Sequence, residues 1–283
     1  MTLIIFLVIL RILSNSFSSV FQKKLALRLN ANYINFLAYL ILAIFCLIFY
    51  KFFNFSNTNV FLFALISGLF GAIGNAFQIK ALKDGELSIL VPINSYKIIF
   101  SLIFGFFFLK EIPSTRAFLG VILIIFGSYF IFNTTKEGFS LKFFKRKDVI
   151  YRLVAVLFTS LEAIFIKKII VLSSSITALF LWAGFSMLFS LLFMKIRNYK
   201  FEKVEKNFLG LILLLSSTMG LMQLCTNYLF KIMEVGLVLS LFQLSSILSV
   251  FLGYKYFKEK NIFKKLIGCL IMIFGAVLIV YVK

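Results

Sequence analysis

The sequence predicts an all-α integral membrane protein of about ten transmembrane helices, laid out as two inverted five-helix repeats. Three observations predict it. First, hydrophobic residues make up 62% of the 283-residue chain and charged residues 14%, with a mean hydropathy of +1.05. A soluble domain carries roughly 45–50% apolar and about 25% charged residues, so lipid must solvate much of this chain. Second, the apolar runs last about 20 residues each, the length a helix needs to cross a ~30 Å hydrocarbon core at about 1.5 Å per residue. A spanning barrel would instead alternate apolar and polar positions over segments of about ten residues, whereas runs such as Phe61 to Phe70 and Ile122 to Ile131 are apolar around the helix. Third, the chain repeats itself, and each repeat holds an odd number of spans. The second half must therefore enter the membrane the other way up, the plan of many secondary transporters.

Spans in the first half are expected at 2–22, 33–53, 59–80, 87–109 and 115–133. An ionisable group inside a span costs a few kcal/mol or more and marks a functional-site hypothesis. In the first span Arg11, Ser14, Ser18 and Gln22 form one helical stripe. The third span offers Ser67, Gly71, Asn75 and Gln78 in the same fashion. In the fourth, Asn94, Lys97 and Ser101 share a face, and Pro92 withholds a backbone N–H one turn earlier, which predicts a kink. A cation at Lys97 can hold a substrate carboxylate or phosphate, or pair structurally with an acid such as Glu162. The fifth span lacks interior charge and repeats Gly120 and Gly127 at seven residues.

The longest connector carries Lys136, Lys142, Lys145, Arg146 and Lys147 and falls at the midpoint, dividing the chain into a first repeat at 1–135, a basic connector at 136–148 and a second repeat at 149–283. Second-half spans are expected at 149–170, 174–195, 207–230, 235–257 and 262–282. Glu162 is the one carboxylate well inside any span, and its repeat mate is Ser18. It can exchange protons between alternating states, recognise a substrate amine, or neutralise Lys97 or Arg11. The eighth span carries Ser216, Gly220, Gln223 and Asn227 on one face, and the ninth Gln243, Ser246 and Ser249. One such stripe is commonly helix-to-helix glue, but several together favour a shared polar interior and a solute path. Tyr96, Trp182 and Tyr228 are the aromatics to consider as substrate stackers. The tenth span, with Gly268 and Gly275 and no interior charge, reads like the fifth as a packing helix, against neighbours or against a second copy of the chain in a homodimer.

The repeat rests on named residues. Phe17 to Lys24 aligns with Leu161 to Lys168 at an offset of 144, a register that holds to Lys51 and Lys195. Leu109-Lys110-Glu111 aligns with Phe257-Lys258-Glu259 at an offset of 148, which also superposes Gly105 on Gly253, Gly120 on Gly268 and Phe126-Gly127 on Phe274-Gly275. With the Lys pairs Lys23-Lys24 and Lys167-Lys168, the closing Glu111 and Glu259, and the paired glycines, the chain resembles the EamA-type branch of the drug/metabolite transporter superfamily over essentially its whole length. The resemblance implies a carrier, more often for export than uptake, with termini in the cytoplasm. The charge count points the other way. Seven Lys and Arg lie in connectors on the side of the termini and 21 on the opposite side, which by the positive-inside rule places the termini outside.

The expected function is therefore a secondary transporter exporting a small polar, amino-acid-like metabolite by alternating access, with Glu162 as coupling group. A lipid-linked substrate flippase or a multidrug exporter is the alternative, and Lys97 argues against cationic drugs. An enzyme is not expected: the sequence has no His, no paired in-span carboxylates and no phosphate loop. A non-transporting subunit would leave the interior charges without a role. Cys46, Cys225 and Cys269 each stand alone in apolar runs and read as small core residues. No cofactor or metal is expected. The formal charge of +20 would point to nucleic acid in a soluble protein. Here it lies in short connectors, so the expected partners are the lipid bilayer and a small-molecule substrate. The expected location is a bacterial cytoplasmic membrane.

Overall fold

A computed structural model describes residues 2–109, 114–199, 201, 204–233 and 235–280, the side chains of 101, 105–109 and 207 excepted. Among the described residues ten helices are long and apolar enough to cross a membrane. They are α1 (Thr2–Ala26), α2 (Ala31–Phe52), α3 (Asn59–Asp84), α4 (Leu87–Phe104), α5 (Thr115–Phe132), α6 (Lys147–Leu172), α7 (Ser175–Ile196), α8 (Phe208–Ile232), α9 (Val235–Phe257) and α10 (Ile262–Val280). Short polar caps start several of them. Asn30, Ser114 and Ser174 each accept from a backbone N–H two or three residues on, at 2.9, 3.2 and 3.1 Å.

The packing follows the repeat. α3 lies against α6 as α8 lies against α1, and α2 pairs with α7 as α5 pairs with α10. The α5–α10 contact explains the glycines: a Cβ on Gly120 would stand 2.5 Å from the Gly275 carbonyl oxygen, and one on Gly127 2.6 Å from that of Gly268. Only a missing side chain lets the backbones approach this closely. These glycine faces meet within one chain, so they are not the surface of a homodimer. Two apolar clusters result, one centred on α2 and α7 and one on α4, α5 and α10.

α4 and α9 are both broken, at repeat-related positions. In α4 the break is a 3-10 turn at Pro92–Ser95, as the proline predicts. Asn94 N–H turns to the Val91 oxygen (2.9 Å), three residues back, which leaves the Leu90 carbonyl open. In α9 the helix stops at Phe242 and resumes at Ser245 with no proline. There Gln243 Nε2 donates to the Leu239 oxygen (3.0 Å) and Ser245 Oγ to the Phe242 oxygen (2.7 Å), side chains competing with the backbone for its carbonyls.

One expectation for α10 needs correction. It does carry an interior charge, because Lys265 is 1% exposed in its first turn. A sequence count assigns Lys265 to the basic connector before the span. The helix begins at Ile262, and that turns Lys265 inward.

A polar cavity between the halves

Seven of the helices enclose a narrow cavity of about 80 Å3, room for several waters. α1 contributes Arg11, Asn15, Ser18 and Gln22; α3 gives Asn75 and Gln78; α4 gives Asn94 and Lys97. From the second half come Thr159, Glu162, Ala163 and Ile166 of α6, Trp182 of α7, and Met219, Met222, Gln223, Thr226 and Phe230 of α8. Leu239 and Phe242 of α9 complete it.

Glu162 is held by a relay of rings and amides. It accepts from Trp182 Nε1. Trp182 meets the Tyr39 ring edge-on at 5.0 Å, and the Tyr39 hydroxyl accepts from Asn75 Nδ2. Gly71 makes room for this arrangement, since a Cβ there would lie 2.6 Å from Glu162 Oε1 and 2.8 Å from Trp182 Nε1. Lys97 lies within Coulombic reach of Glu162. The Arg11 guanidinium sits 3.6 Å over the Phe242 ring, and its buried Nε has no hydrogen-bond acceptor among the described residues. Two cations thus share the lining with one carboxylate, a surplus of positive charge whose chemistry suits a carboxylate or phosphate.

Other anticipated residues sit elsewhere. Asn227 donates to the Ser175 oxygen at 3.0 Å and accepts from Gln223 at 2.9 Å, tying α8 to the start of α7. Gln243 accepts from Ser95 at 3.2 Å, so the two helix breaks touch each other. Both are off the cavity wall. The Ser101 side chain, Lys110 and Glu111 lie outside the described residues. Tyr228 is 41% exposed on the outer surface, and the Tyr96 hydroxyl donates to Ser128 at 3.0 Å.

Arg152 was not anticipated, because it follows a run of basic connector residues. It is 1% exposed and donates from Nε to the open Leu90 carbonyl (2.8 Å) and from Nη1 to Gln78 Oε1 (2.7 Å). Gln78 in turn donates to Gln22 at 2.7 Å. The signal was present in the spacing: Arg152, Thr159, Glu162 and Ile166 fall on one face of α6.

Beyond this floor the halves are clasped by charge. Lys23 Nζ lies 2.7 Å from the Gly85 oxygen and 3.1 Å from Glu259 Oε1. Glu259 also accepts from the backbone N–H groups of Leu87 (2.7 Å) and Ser88 (2.8 Å), the first residues of α4. Burial pushes the Glu259 carboxyl up, but the Lys23 charge and these N–H groups outweigh it and hold it below the usual carboxylate range. The end of α9 sets the carboxylate in place: Lys258 adopts a left-handed φ of 57°, its N–H bonds the Tyr254 oxygen (3.0 Å), and Glu259 N–H bonds that of Gly253 (3.3 Å). A lysine in that conformation costs about 1–2 kcal/mol that glycine would not. Lys167, the repeat mate of Lys23, likewise caps the end of α8 at the Phe230 and Met233 carbonyls.

The profile of the EamA-like transporter family matches residues 2–133 and again 146–281. A solved structure titled only "Crystal structure of protein" is 13% identical, aligned over 99% of this chain and 97% of its own, with a TM-score of 0.68. That likeness is one of fold. No curated protein matches the chain.

Proposed function

Because the chain belongs to the EamA-like transporter family, whose profile covers both halves, we propose that it exports a small, amphipathic, amino-acid-like metabolite by alternating access, with the cavity as its solute site. The division of the cavity wall carries this reading. Every lining residue from the first half is polar or charged, whereas most of those from the second are apolar or aromatic. A carboxylate fits against Lys97 and Arg11, an ammonium group against Glu162, and an apolar side chain along Met219, Met222 and Phe242. Glu162 is the coupling group of this scheme: a carboxylate that passes a proton while the substrate is absent lets a proton gradient drive the return step. Export is the direction the family resemblance implies.

Mass-spectrometric profiling of medium and cell extract tests it, comparing a bacterial host expressing the native chain, the Lys97→Ala variant and an empty vector. A metabolite that gathers outside with the native chain alone supports export and names the substrate. Identical profiles in all three would refute it. One observation favours a lipid-linked substrate instead: an apolar groove of about 420 Å3 between α2, α7 and α8, lined by Phe45, Leu213 and Gly220 among others, would suit an acyl chain. Movement of a labelled lipid across reconstituted vesicles separates the two.

A further inference from the structure

Toward the membrane face opposite the termini, the cavity is followed by three polar layers. The first is the cavity floor, Arg152–Gln78–Gln22. The second is Lys23–Glu259 with the Gly85 carbonyl and the amides that open α4. The third is Lys265, which donates to Glu86 at 2.5 Å and Ser88 at 2.8 Å. A bowl of about 690 Å3 borders both the second and the third, its lining including Lys23, Glu86, Glu259 and Lys265 together with Lys136 and Lys258.

The second and third layers both cross between the halves. Glu259 lies in the turn joining α9 to α10 and Lys265 in the first turn of α10, and every group their side chains bond belongs to the first half. Lys23 of α1 apart, those groups belong to Glu86, Leu87 and Ser88, where α3 turns into α4, and Lys23 itself bonds the Gly85 oxygen of that turn. The buried Lys23–Glu259 pair is also a poor choice for static stability. A buried ion pair must recover a desolvation penalty of several kcal/mol per ion, and apolar substitutes of like volume often do as well. What such a pair does supply is separability: once water enters, each charge is rehydrated and the halves part with little net change.

We propose that Lys23–Glu259 and Lys265–Glu86 form a two-tier ionic gate that seals the solute path on the face opposite the termini, an inference that rests on the transport reading above. The bowl is the vestibule of that gate. For the cavity to open on this face, the α9–α10 turn must leave the α3–α4 turn, and both tiers must break together.

Spin labels measure that separation directly. Lys83 and Lys264 are exposed and lie one on each side of the gate. They are changed to cysteine in a chain whose buried Cys46, Cys225 and Cys269 are replaced by alanine, and the label-to-label distance is read in nanodiscs. With the native gate one short distance dominates. Glu259→Gln and Lys23→Met are expected to shift most of the population to a longer distance, and Glu86→Gln, which loosens only the half-exposed outer tier, a smaller share. Glu86→Gln spares the buried pair, so it reports even where the inner variants fail to fold, as judged by gel filtration. Unchanged distances in every variant that folds would overturn the gate. No substrate is needed, so longer distances without measurable flux would leave the gate standing and sink the transport reading, and flux with unchanged distances would do the reverse.

Discussion

The two halves share a framework and differ where they face the cavity. The breaks in α4 and α9, the glycine faces of α5 and α10, and the lysines that cap α3 and α8 are all kept as mates. At the cavity the mates diverge: Gln22 corresponds to Ile166, Asn94 to Phe242, and Ser18 to Glu162. Framework positions serve a symmetric job, bringing two helices to the same distance from either end, and so tolerate one solution twice. Cavity positions, under the proposed function, meet a single solute that has two unlike ends. One wall became polar and cationic, the other apolar with a single carboxylate.

The largest effect should come from reversing the polar wall. Lys97→Glu is expected to abolish efflux, and Lys97→Ala to lower it by roughly 10- to 100-fold, the value of a charged hydrogen bond of about 1.5–3 kcal/mol, as read by metabolite efflux rates. Next is the one acid of the opposite wall: in Glu162→Gln vesicles, uptake of the identified solute should no longer respond to an imposed proton gradient, and a retained response would remove Glu162 from coupling. Gly71→Ala presses on Glu162 and Trp182 from the first half, and should cost about 1–3 kcal/mol of overpacking, seen as a lower Tm together with lost flux. Framework mates give the symmetric control. Gly127→Ala and Gly275→Ala should lower Tm by similar amounts, whereas unequal shifts would show that the α5–α10 contact has specialised too. The smallest change belongs to the apolar wall: Met222→Leu, nearly volume-conserving, should cost less than about 1.5 kcal/mol and alter preference among solutes of different side-chain size more than the overall rate.

The framework was legible in the sequence because lipid imposes it. A helix must cross a fixed thickness, so ten apolar runs of the right length appear as such, and a duplicated plan leaves duplicated glycines and lysines. Pro92 announced one break; the other carries no proline and was not read from the sequence. The cavity was harder to read. Lys97, Glu162 and Arg11 stand out as charges in apolar runs, and their stripes point inward. Gln243 and Asn227 look the same in sequence yet spend their amides on neighbouring helices, since a polar stripe does not say which neighbour it meets. Arg152 and Lys265 failed in the opposite way. They sit among exposed Lys residues at helix ends, where charge is ordinarily read as topology, and only the turn of the helix shows that they face inward.

The meeting of α5 with α10 also sets an order of assembly. Gly120 finds its partner Gly275, and Gly127 its partner Gly268, well over a hundred residues later in the chain. Ribosomes add about 5–20 residues per second, so α5 waits in the bilayer for roughly ten seconds with its closest-packing face against lipid. The first half cannot be finished before the second, and a nascent chain stopped ahead of Ile262 lacks the surface that α5 was built to meet. Such a nine-helix chain should be cleared by membrane proteases rather than accumulate as a stable product.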